Sequence, residues 1–373
     1  MKFPIYLDNS STTPISKEVL DAMMPFLTYN FGNPSSRLTY HGMLANLAVD
    51  KARHNIAKLI NAKAEEIIFT SGATESNNLA IKGILNAIDE DKKHIITSSI
   101  EHSSVLEVCR YLESIGYQLS FIKAKPNGDI DLKELENEIN PTTGLISIMH
   151  VNNETGAIMP IEAIATIAQK NNIILHSDCV QSIDKIPIDV RQTNIDMLSF
   201  TAHKIYGPKG CGALYVNSKY LNKIVPIING GGQEAGLRSG TLNTPSIVGL
   251  ATAIEQVKTD NNSIQNLRNY FESELEKHLD IVINGRDTNR IHSISNITFK
   301  GVDAEKIILK LQGKISCSMA SACSNAKNGI SHVLAGIGLS AKDIKSSIRF
   351  SLGKYNTQQE IEYVVKALIN TIK

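Results

Sequence analysis

The sequence predicts an α/β fold with a mainly parallel, seven-stranded sheet in a large domain and a smaller α+β domain beside it. Between residues 64 and 217, short isoleucine-rich runs alternate with longer segments whose apolar residues recur at helical spacing. The runs are apolar on successive residues, which is typical of strands buried on both faces. Repeated strand–helix–strand units favour a parallel sheet covered by helices. Ligands of such sheets bind beyond the carboxyl ends of the strands.

The elements follow from the same patterns in chain order. The strands are predicted at 66–70, 94–97, 119–122, 145–150, 173–176, 197–200 and 213–216, with helices between them that include 77–87 and 161–169. The glycine-rich stretch 224–243 has little periodicity and is predicted to be a long functional loop. A helical pattern over 247–279, broken near 260–263, then leads to a strand at 294–299, a helix at 304–311 and a terminal helix from about Thr357.

The change of pattern predicts the domain boundaries. Residues 15–260 are expected to form the large domain, which contains the sheet and its ligand-binding edge. Residues 1–14 and 261–373 are expected to form the small domain, which carries a cysteine-containing loop.

Composition excludes several classes of protein. The 373 residues carry 38 Lys and Arg against 37 Asp and Glu, so no whole-protein field attracts nucleic acid or an anionic membrane. No run of 18 apolar residues occurs and the start lacks a signal-peptide pattern, so a cytoplasmic protein is expected. Five cysteines without a CxxC pair disfavour a disulfide scaffold and a resident metal site.

The first predicted strand runs into a turn that is suited to a phosphate group. Ser71, Gly72, Ala73 and Thr74 follow this strand and precede a helix. Free backbone N–H groups at a helix N-terminus bind anions, and the two hydroxyl groups add donors. The alternative is that Thr74 only caps the helix. Without a Walker motif or a convincing GxGxxG motif, a small phosphate ligand fits better than a nucleotide.

Two further strands end near an acid and an amine. Asp178 follows the strand at 173–176, and Lys204 follows the strand at 197–200. Pyridoxal phosphate needs a lysine for its Schiff base, an acid beside its pyridine nitrogen and donors for its phosphate. Taken singly, Asp178 is also compatible with a helix cap and Lys204 with a solvated loop residue.

Nine segments together resemble the cysteine desulfurases, which are aminotransferase-like pyridoxal phosphate enzymes of fold type I. In chain order they are YLDNSSTTP from Tyr6, FGNPSS from Phe31, SGATESNNLAIKG from Ser71, EHSSV from Glu101, HVNNETG from His150, SFTAHKIYGPKG from Ser199, GGGQEAGLRSGT from Gly230, SACS from Ser321 and SSIRFSLG from Ser346. The resemblance implies pyridoxal 5'-phosphate as cofactor and L-cysteine as substrate. It also implies a homodimer.

The resemblance assigns roles residue by residue. Lys204 would form the Schiff base, Asp178 would pair with the pyridine nitrogen, Gln181 would contact the ring oxygen and His102 would stack on the ring as an acid–base group. Ala73, Thr74, Thr201 and His203 would hold the phosphate, together with Thr241 of the second subunit. Asn153 also belongs to the cofactor-binding set, and Asn153 and Arg349 would bind the substrate carboxylate. The alternatives are a helix cap for His102 and a surface ion pair for Arg349.

The implied reaction removes sulfur from L-cysteine, leaving alanine and a persulfide on Cys323. Cys323 lies in a polar stretch that suits a reactive thiol, and the family role includes transient ligation of a nascent iron–sulfur cluster. The acceptor would be an iron–sulfur scaffold or a tRNA-thiolation enzyme, with no direct contact to nucleic acid or a membrane. Ala320, Ile330 and Ser11 depart from the commoner Gly, Pro and Ala. The alternatives are a selenocysteine lyase, an aminotransferase or a non-catalytic scaffold.

Overall fold

The computed structural model describes residues 1–85, 88, 91–257, 262–319 and 330–373. Its strands are β1 Ile5–Tyr6, β2 Ile67–Thr70, β3 His94–Ser98, β4 Gln118–Ile122, β5 Thr143–Ser147, β6 Ile174–Asp178, β7 Met197–Thr201, β8 Gly212–Val216, β9 Ile281–Asn284, β10 Ile294–Phe299, β11 Ile315–Ser316, β12 Ser318–Met319 and β13 Ser347–Ser351. Its helices are α1 Lys17–Thr28, α2 Tyr40–Leu59, α3 Ala73–Leu85, α4 Ser103–Ser114, α5 Leu132–Glu138, α6 Ile161–Lys170, α7 Val190–Thr193, α8 Ser218–Leu221, α9 Thr244–Glu255, α10 Asn262–Glu276, α11 Ala304–Lys310, α12 His332–Gly336, α13 Ala341–Lys345 and α14 Gln358–Ile372.

The central sheet has seven strands in the order β2-β8-β7-β6-β5-β3-β4. All neighbouring pairs are parallel except those that β8 makes with β2 and β7. This confirms the predicted α/β fold with a mainly parallel sheet. Strands β2, β3, β5, β6 and β7 therefore end at one edge of the sheet.

Alternate strand residues enter two separate cores, which explains why the strands read as continuous apolar runs. Ile96, Ile146 and Leu175 belong to the core on one face of the sheet. Their neighbours Ile95, Leu145 and Ile174 belong to the core on the other face, together with residues of α3 and α4. Burial on both faces favours apolar side chains at successive positions rather than only at every second one.

A third core joins the N-terminal residues to the C-terminal part of the chain. Ile5 and Leu7 pack with residues of α10, β10, β13 and α14. β1 pairs in parallel with β11, and a second sheet runs in the order β12-β13-β10-β9. The predicted boundaries of the two domains remain a proposal, which this separate core supports.

Most predicted bounds differ from the observed ones by a few residues, and two of the differences concern elements that lead to the predicted site. Helix α3 begins at Ala73, before the predicted residue 77, because the polar residues of its first turn add nothing to the apolar periodicity. Strand β5 ends at Ser147 rather than at residue 150. Ile148 and His150 nevertheless donate backbone hydrogen bonds to His176 and Asp178, so the chain continues along β6 in less regular form.

Candidate active site

The predicted site lies where five parallel strands end and where the N-terminal segment crosses the sheet edge. The strands end at Thr70, Ser98, Ser147, Asp178 and Thr201. Residues 8–13, which follow β1, lie against the segment after β7, and Thr13 N donates to the His203 carbonyl at 2.8 Å. This crossing places residues 8–13 against groups that lie nearly 200 positions further along the chain.

Lys204 ends a short 3-10 turn directly after β7. Its Nζ donates to the backbone carbonyl oxygens of Ser10 and Ser11, the second at 2.7 Å. Gln181 Nε2 donates to the same Ser10 carbonyl at 3.0 Å. Lys204 and Gln181, both predicted site residues, thus donate to the same backbone carbonyl, that of Ser10. The sequence alone assigned no role to Ser10 or Ser11 at the site.

Asp178 and His102 are joined by a chain of hydrogen bonds. Asn77 Nδ2 donates to Asp178 Oδ2 at 2.9 Å and to Ser104 Oγ at 2.8 Å. Ser104 Oγ lies 2.8 Å from His102 Nδ1. Sequence reasoning missed Asn77 and Ser104, although both belong to the recognised motifs. Asn77 lies one helical turn before Ile81 on the buried face of α3, and a polar side chain at a buried position needs hydrogen-bond partners.

His102 is also the N-cap of α4, because its Nδ1 accepts from Ser104 N at 3.1 Å. This capping role was the alternative interpretation, and it is compatible with a site role because the second ring nitrogen and the ring faces do not take part in the cap. Burial lowers the pKa of His102, with smaller effects from Asp178, which raises it, and from Lys204 and His332, which lower it. The imidazole is therefore mainly neutral at neutral pH.

The start of α3 lies against β7 and β8. Thr74 is inside the first turn of α3 rather than at its N-cap, so the capping alternative is wrong. A Cβ atom at Gly72 would lie 3.8 Å from Thr201 Oγ1, and one at Gly212 would come within 2.7 Å of the Gly72 Cα atom. Glycine at 212 thus allows β8 to approach this turn, and Thr201 lies beside the predicted phosphate cradle.

His203 lies between this cradle and the N-terminal segment. Its Nδ1 is 3.2 Å from Thr12 Oγ1. Burial, with smaller contributions from Lys204 and Lys209, lowers the pKa of His203 to about 4. A neutral imidazole at this place offers one donor and one acceptor rather than a positive charge.

Arg349 lies on β13 and its side chain is only 2% exposed. Its Nη2 donates to Asp8 Oδ1 at 2.9 Å and to Ser11 Oγ at 2.7 Å, and its Nη1 donates to the Asn153 carbonyl at 2.9 Å. The ion pair with Asp8 is buried, so the interpretation as a surface pair is wrong. Arg349 Nε and Asn153 Oδ1 are buried polar atoms that have no partner among the described residues. Nε is thus available as a donor to an anionic group, and Oδ1 is available as an acceptor for an amino group.

Two buried carboxyl groups were not predicted. Glu101 accepts from Ser98 Oγ at 2.6 Å and from Met149 N at 2.9 Å, and burial raises its pKa to about 8. Glu154 accepts from Ser331 Oγ at 2.6 Å, and burial raises its pKa to about 7. Glu101 directly precedes His102 in the chain, and Glu154 directly follows Asn153. Each of these buried carboxyl groups is thus held in place next to a predicted site residue.

Replacing Glu101 with glutamine is expected to change how stability depends on pH. Because the folded-state pKa of Glu101 lies at about 8 against an ordinary value of 4.5, the folded protein retains a proton that the unfolded chain releases. The free energy of unfolding therefore falls as the pH rises through this window, by a few kcal/mol at most. Chemical denaturation at several pH values should show a shallower fall for Glu101→Gln. Glu113→Gln, at an exposed position of α4, serves as the control, and equal slopes in all three proteins would contradict the expectation.

The remaining predicted residues are placed less closely. Thr241 is exposed in the loop before α9, and Ala73 opens α3. In the described part of the chain, no side-chain hydrogen bond joins Thr74 or Thr241 to the other site residues. Cys323, Ala320 and the rest of residues 320–329 lie outside the described residues.

The four other cysteines are poor nucleophiles. Cys109, Cys179 and Cys211 are buried, and Cys317 is partly buried between β11 and β12. Burial raises the pKa of each thiol to about 12. Since the thiolate is the nucleophile, none of these four is activated at neutral pH.

A cavity of about 650 Å³ lies beside Lys204, between residues of the large sheet unit and residues of the C-terminal unit. Its walls include Ser10, Gln181, Lys204, Tyr206, His292 and Lys354. Over the described ranges, no helix is both long and apolar enough to cross a membrane. Those ranges also contain no cluster of three or more His, Cys, Asp or Glu side chains arranged to hold a metal ion.

Residues 5–364 match the family described as aminotransferase class-V. A protein of Rickettsia bellii named cysteine desulfurase IscS is 46% identical over 374 residues, covering 99% of this chain and 91% of that protein. The protein of the same name from Rickettsia prowazekii is 45% identical, covering 100% of this chain and 92% of its own length.

Two solved structures of similar proteins support the same family. One described as a NifS-like protein has a TM-score of 0.92 at 36% identity, covering 98% of both chains. Another, described as SspA in complex with cysteine, has a TM-score of 0.85 at 42% identity, covering 95% of this chain and all of that one.

Proposed function

The chain belongs to the class-V aminotransferase family and within it to the cysteine desulfurases, and on that premise we propose that it converts L-cysteine to L-alanine and carries the released sulfur as a persulfide on Cys323. The observation that supports the substrate best is the buried Arg349, whose Nε has no partner in the described part of the chain and which contacts Asn153 and, like Lys204, Ser11. A similar solved protein was obtained in complex with cysteine, which supports the same substrate.

The residues of the site fit pyridoxal 5'-phosphate, the cofactor of this family. Asp178 is buried and accepts one hydrogen bond on each oxygen, which leaves lone pairs for a pyridinium N–H. Lys204 supplies the amine close by, and the turn before α3 supplies the anion cradle. We assign the cofactor to Ala73, Thr74, His102, Asn153, Asp178, Gln181, Thr201, His203, Lys204 and, from a second subunit, Thr241. When bound, this cofactor supplies an electron sink for the pair released at the substrate's α-carbon.

The chain's own groups have separate tasks in this proposal. Arg349 and Asn153 bind the α-carboxylate and so orient the amino acid. Lys204 Nζ removes the α-proton, and the Ser10 and Ser11 carbonyls hold this amine in place when it is not covalently engaged. His102, kept neutral by burial, has a basic ring nitrogen that accepts or returns a proton.

Sulfur transfer needs a thiolate, and Cys323 is our candidate. The Cys323 sulfur forms a bond with the substrate sulfur while the substrate C–S bond breaks and its electron pair goes to carbon. The carbon then takes a proton, so that alanine leaves and Cys323 holds the persulfide. The raised pKa values of the other four thiols support this choice by removing the competitors.

A homodimer would bring Thr241 to the site of a second subunit. Of the twenty large apolar side chains that are exposed in the described residues, ten lie between residues 15 and 47. A groove lined by Pro34, Ser35 and Arg37 also borders the loop 231–242, so this apolar region adjoins the loop with Thr241. Such a surface is typical of a protein interface. Mixing inactive Lys204→Ala and Thr241→Ala subunits should restore one intact site per hybrid dimer if Thr241 acts across the interface.

The central test is incubation of cofactor-loaded protein with L-cysteine and a thiol reductant, with alanine and sulfide measured together. We expect equal amounts of both products. Protein that forms no alanine would contradict the proposal, and keto acid in place of sulfide would indicate an aminotransferase. A strong preference for selenocysteine would indicate a selenocysteine lyase.

Replacing Cys323 with alanine should leave cofactor binding intact and abolish persulfide formation. The reason is that the described cysteines are protonated at neutral pH and cannot replace it. Mass spectrometry of the protein after exposure to L-cysteine measures the added sulfur, and Cys317→Ala serves as the matched control that keeps it. Full persulfide formation in Cys323→Ala would refute the role.

The destination of the sulfur is part of the proposal. We propose an iron–sulfur scaffold or a tRNA-thiolation enzyme as acceptor, with Cys323 as a transient ligand of a nascent cluster. The names of the relatives support a role in cluster assembly. Transfer of labelled sulfur to purified candidates would identify the acceptor. The cytoplasmic location also remains a proposal, which cell fractionation tests.

A further inference from the structure

The Ser11 hydroxyl contacts the arginine that we assign to the substrate carboxylate. Ser11 Oγ accepts from Arg349 Nη2 at 2.7 Å, and Asp8 Oδ1 accepts from the same nitrogen at 2.9 Å. Nη2 carries two hydrogens, so these two acceptors use both. Arg349 Nη1 donates to the Asn153 carbonyl, and no described residue is a partner of Nε.

This arrangement limits how a carboxylate can bind. A guanidinium group binds a carboxylate with two parallel hydrogen bonds, either through Nε and Nη2 or through Nη1 and Nη2. Both edges include Nη2. An α-carboxylate that binds with two parallel hydrogen bonds, through Nε and Nη2, must therefore replace either Asp8 or Ser11 as the acceptor of one Nη2 hydrogen.

Ser11 is the acceptor that is easier to displace. The Asp8 carboxyl group forms an ion pair with Arg349, whose side chain is 2% exposed, whereas Ser11 offers a neutral hydroxyl oxygen. Hydrogen bonds between two charged groups are stronger than those to a neutral acceptor. When the carboxylate replaces Ser11 as the acceptor at Nη2, one hydrogen bond is lost for the one that is formed. The net free energy gained by binding the carboxylate is therefore smaller.

We propose that the Ser11 hydroxyl competes with the α-carboxylate of the amino-acid substrate for Arg349 and thereby weakens the binding of α-amino acids. The inference rests on the proposed function, because it takes Arg349 as the carboxylate site. Without a ligand, Ser11 keeps a buried N–H group paired, which stabilises the ligand-free protein. The contact from Lys204 is to the Ser11 backbone carbonyl, so a change of the Ser11 side chain leaves that contact in place.

The experiment compares wild-type protein with Ser11→Ala and Ser11→Thr. Cofactor-loaded proteins are titrated with L-alanine, which has the carboxylate but no sulfur, and with ethylamine, which has the amine but no carboxylate. The absorbance of the bound cofactor reports binding. Ser11→Ala should lower the dissociation constant of L-alanine by about three- to tenfold, the range expected for one hydrogen bond, and leave that of ethylamine unchanged. Ser11→Thr retains the hydroxyl and should bind both ligands as the wild type does.

An unchanged or raised dissociation constant for L-alanine in Ser11→Ala would overturn the proposal, as would an equal shift for both ligands. Ser11→Ala should also lower the melting temperature of the ligand-free protein, because Nη2 loses an acceptor. If this variant does not fold, Ser11→Cys, with its weaker sulfur acceptor, should shift L-alanine binding in the same direction. None of these titrations needs desulfuration. A wild type that forms no alanine from cysteine would therefore refute the proposed function and leave the Ser11 result to be judged separately.

Discussion

Replacing Lys204 with alanine is expected to lower alanine formation from L-cysteine by at least about 1000-fold, because the amine both holds the cofactor and moves the α-proton. Loss of the amine also removes the Lys204 donor from the Ser10 and Ser11 carbonyls, of which Ser10 keeps the hydrogen bond from Gln181. Borohydride treatment followed by mass spectrometry should show that the cofactor no longer becomes fixed to the protein.

Two further variants separate chemistry from folding. Lys204→Arg keeps a positive charge and donors for both carbonyls, yet a guanidinium group cannot take over the amine's covalent role, so this variant should fold normally and remain inactive. Lys209→Ala, at an exposed position five residues further on, should keep its activity. Activity near the wild-type level in either Lys204 variant would refute the assignment.

Replacing Arg349 with lysine should raise the KM for L-cysteine by about 100-fold with a smaller change in kcat. Lysine retains the charge but loses the planar fork, and it cannot reach Asp8, Ser11 and Asn153 together. Disruption of a buried, hydrogen-bonded charge pair costs about 2–5 kcal/mol, which corresponds to this range. Steady-state kinetics with L-cysteine measures the split between KM and kcat.

Arg290 offers a matched control for this substitution. It is also buried and forms two hydrogen bonds with one carboxylate, that of Glu272, at 3.0 and 3.1 Å. Arg290→Lys should reduce the melting temperature to a similar degree while leaving the KM unchanged. A similar rise in KM in both variants would show that Arg349 acts only through the stability of the fold.

Much of the sheet was predictable because its physics is local to each strand. A strand that is buried on both faces favours apolar residues at successive positions, and the bounds of β7 and β8 were predicted to within one residue. The end of β5 and the start of α3 were not predicted correctly. The first turn of α3 is polar and so adds nothing to the apolar periodicity, whereas the apolar run of β5 continues through the buried Ile148 and Met149 after the regular strand has ended.

The candidate site was predictable only in part. Asp178 and Lys204 follow buried strands, and this position alone identifies them as candidates. Asn77 and Ser104, which link Asp178 to His102, lie on helices whose pattern indicates only burial. Glu101 and Glu154 were missed because an acidic residue in a sequence is ordinarily exposed, and only the fold shows that these two are buried.

By itself, the sequence determined the order and nature of the strands and the chemical groups that stand at their ends, because both depend on residues close together in the chain. Only the tertiary structure decided that the N-terminal segment meets Lys204 across 194 positions and that Ser11 meets Arg349 across 338. These contacts depend on the path of the whole chain between the two units. No local pattern carries that information, since each partner is specified by its own surroundings and the pairing arises only when both cores have formed.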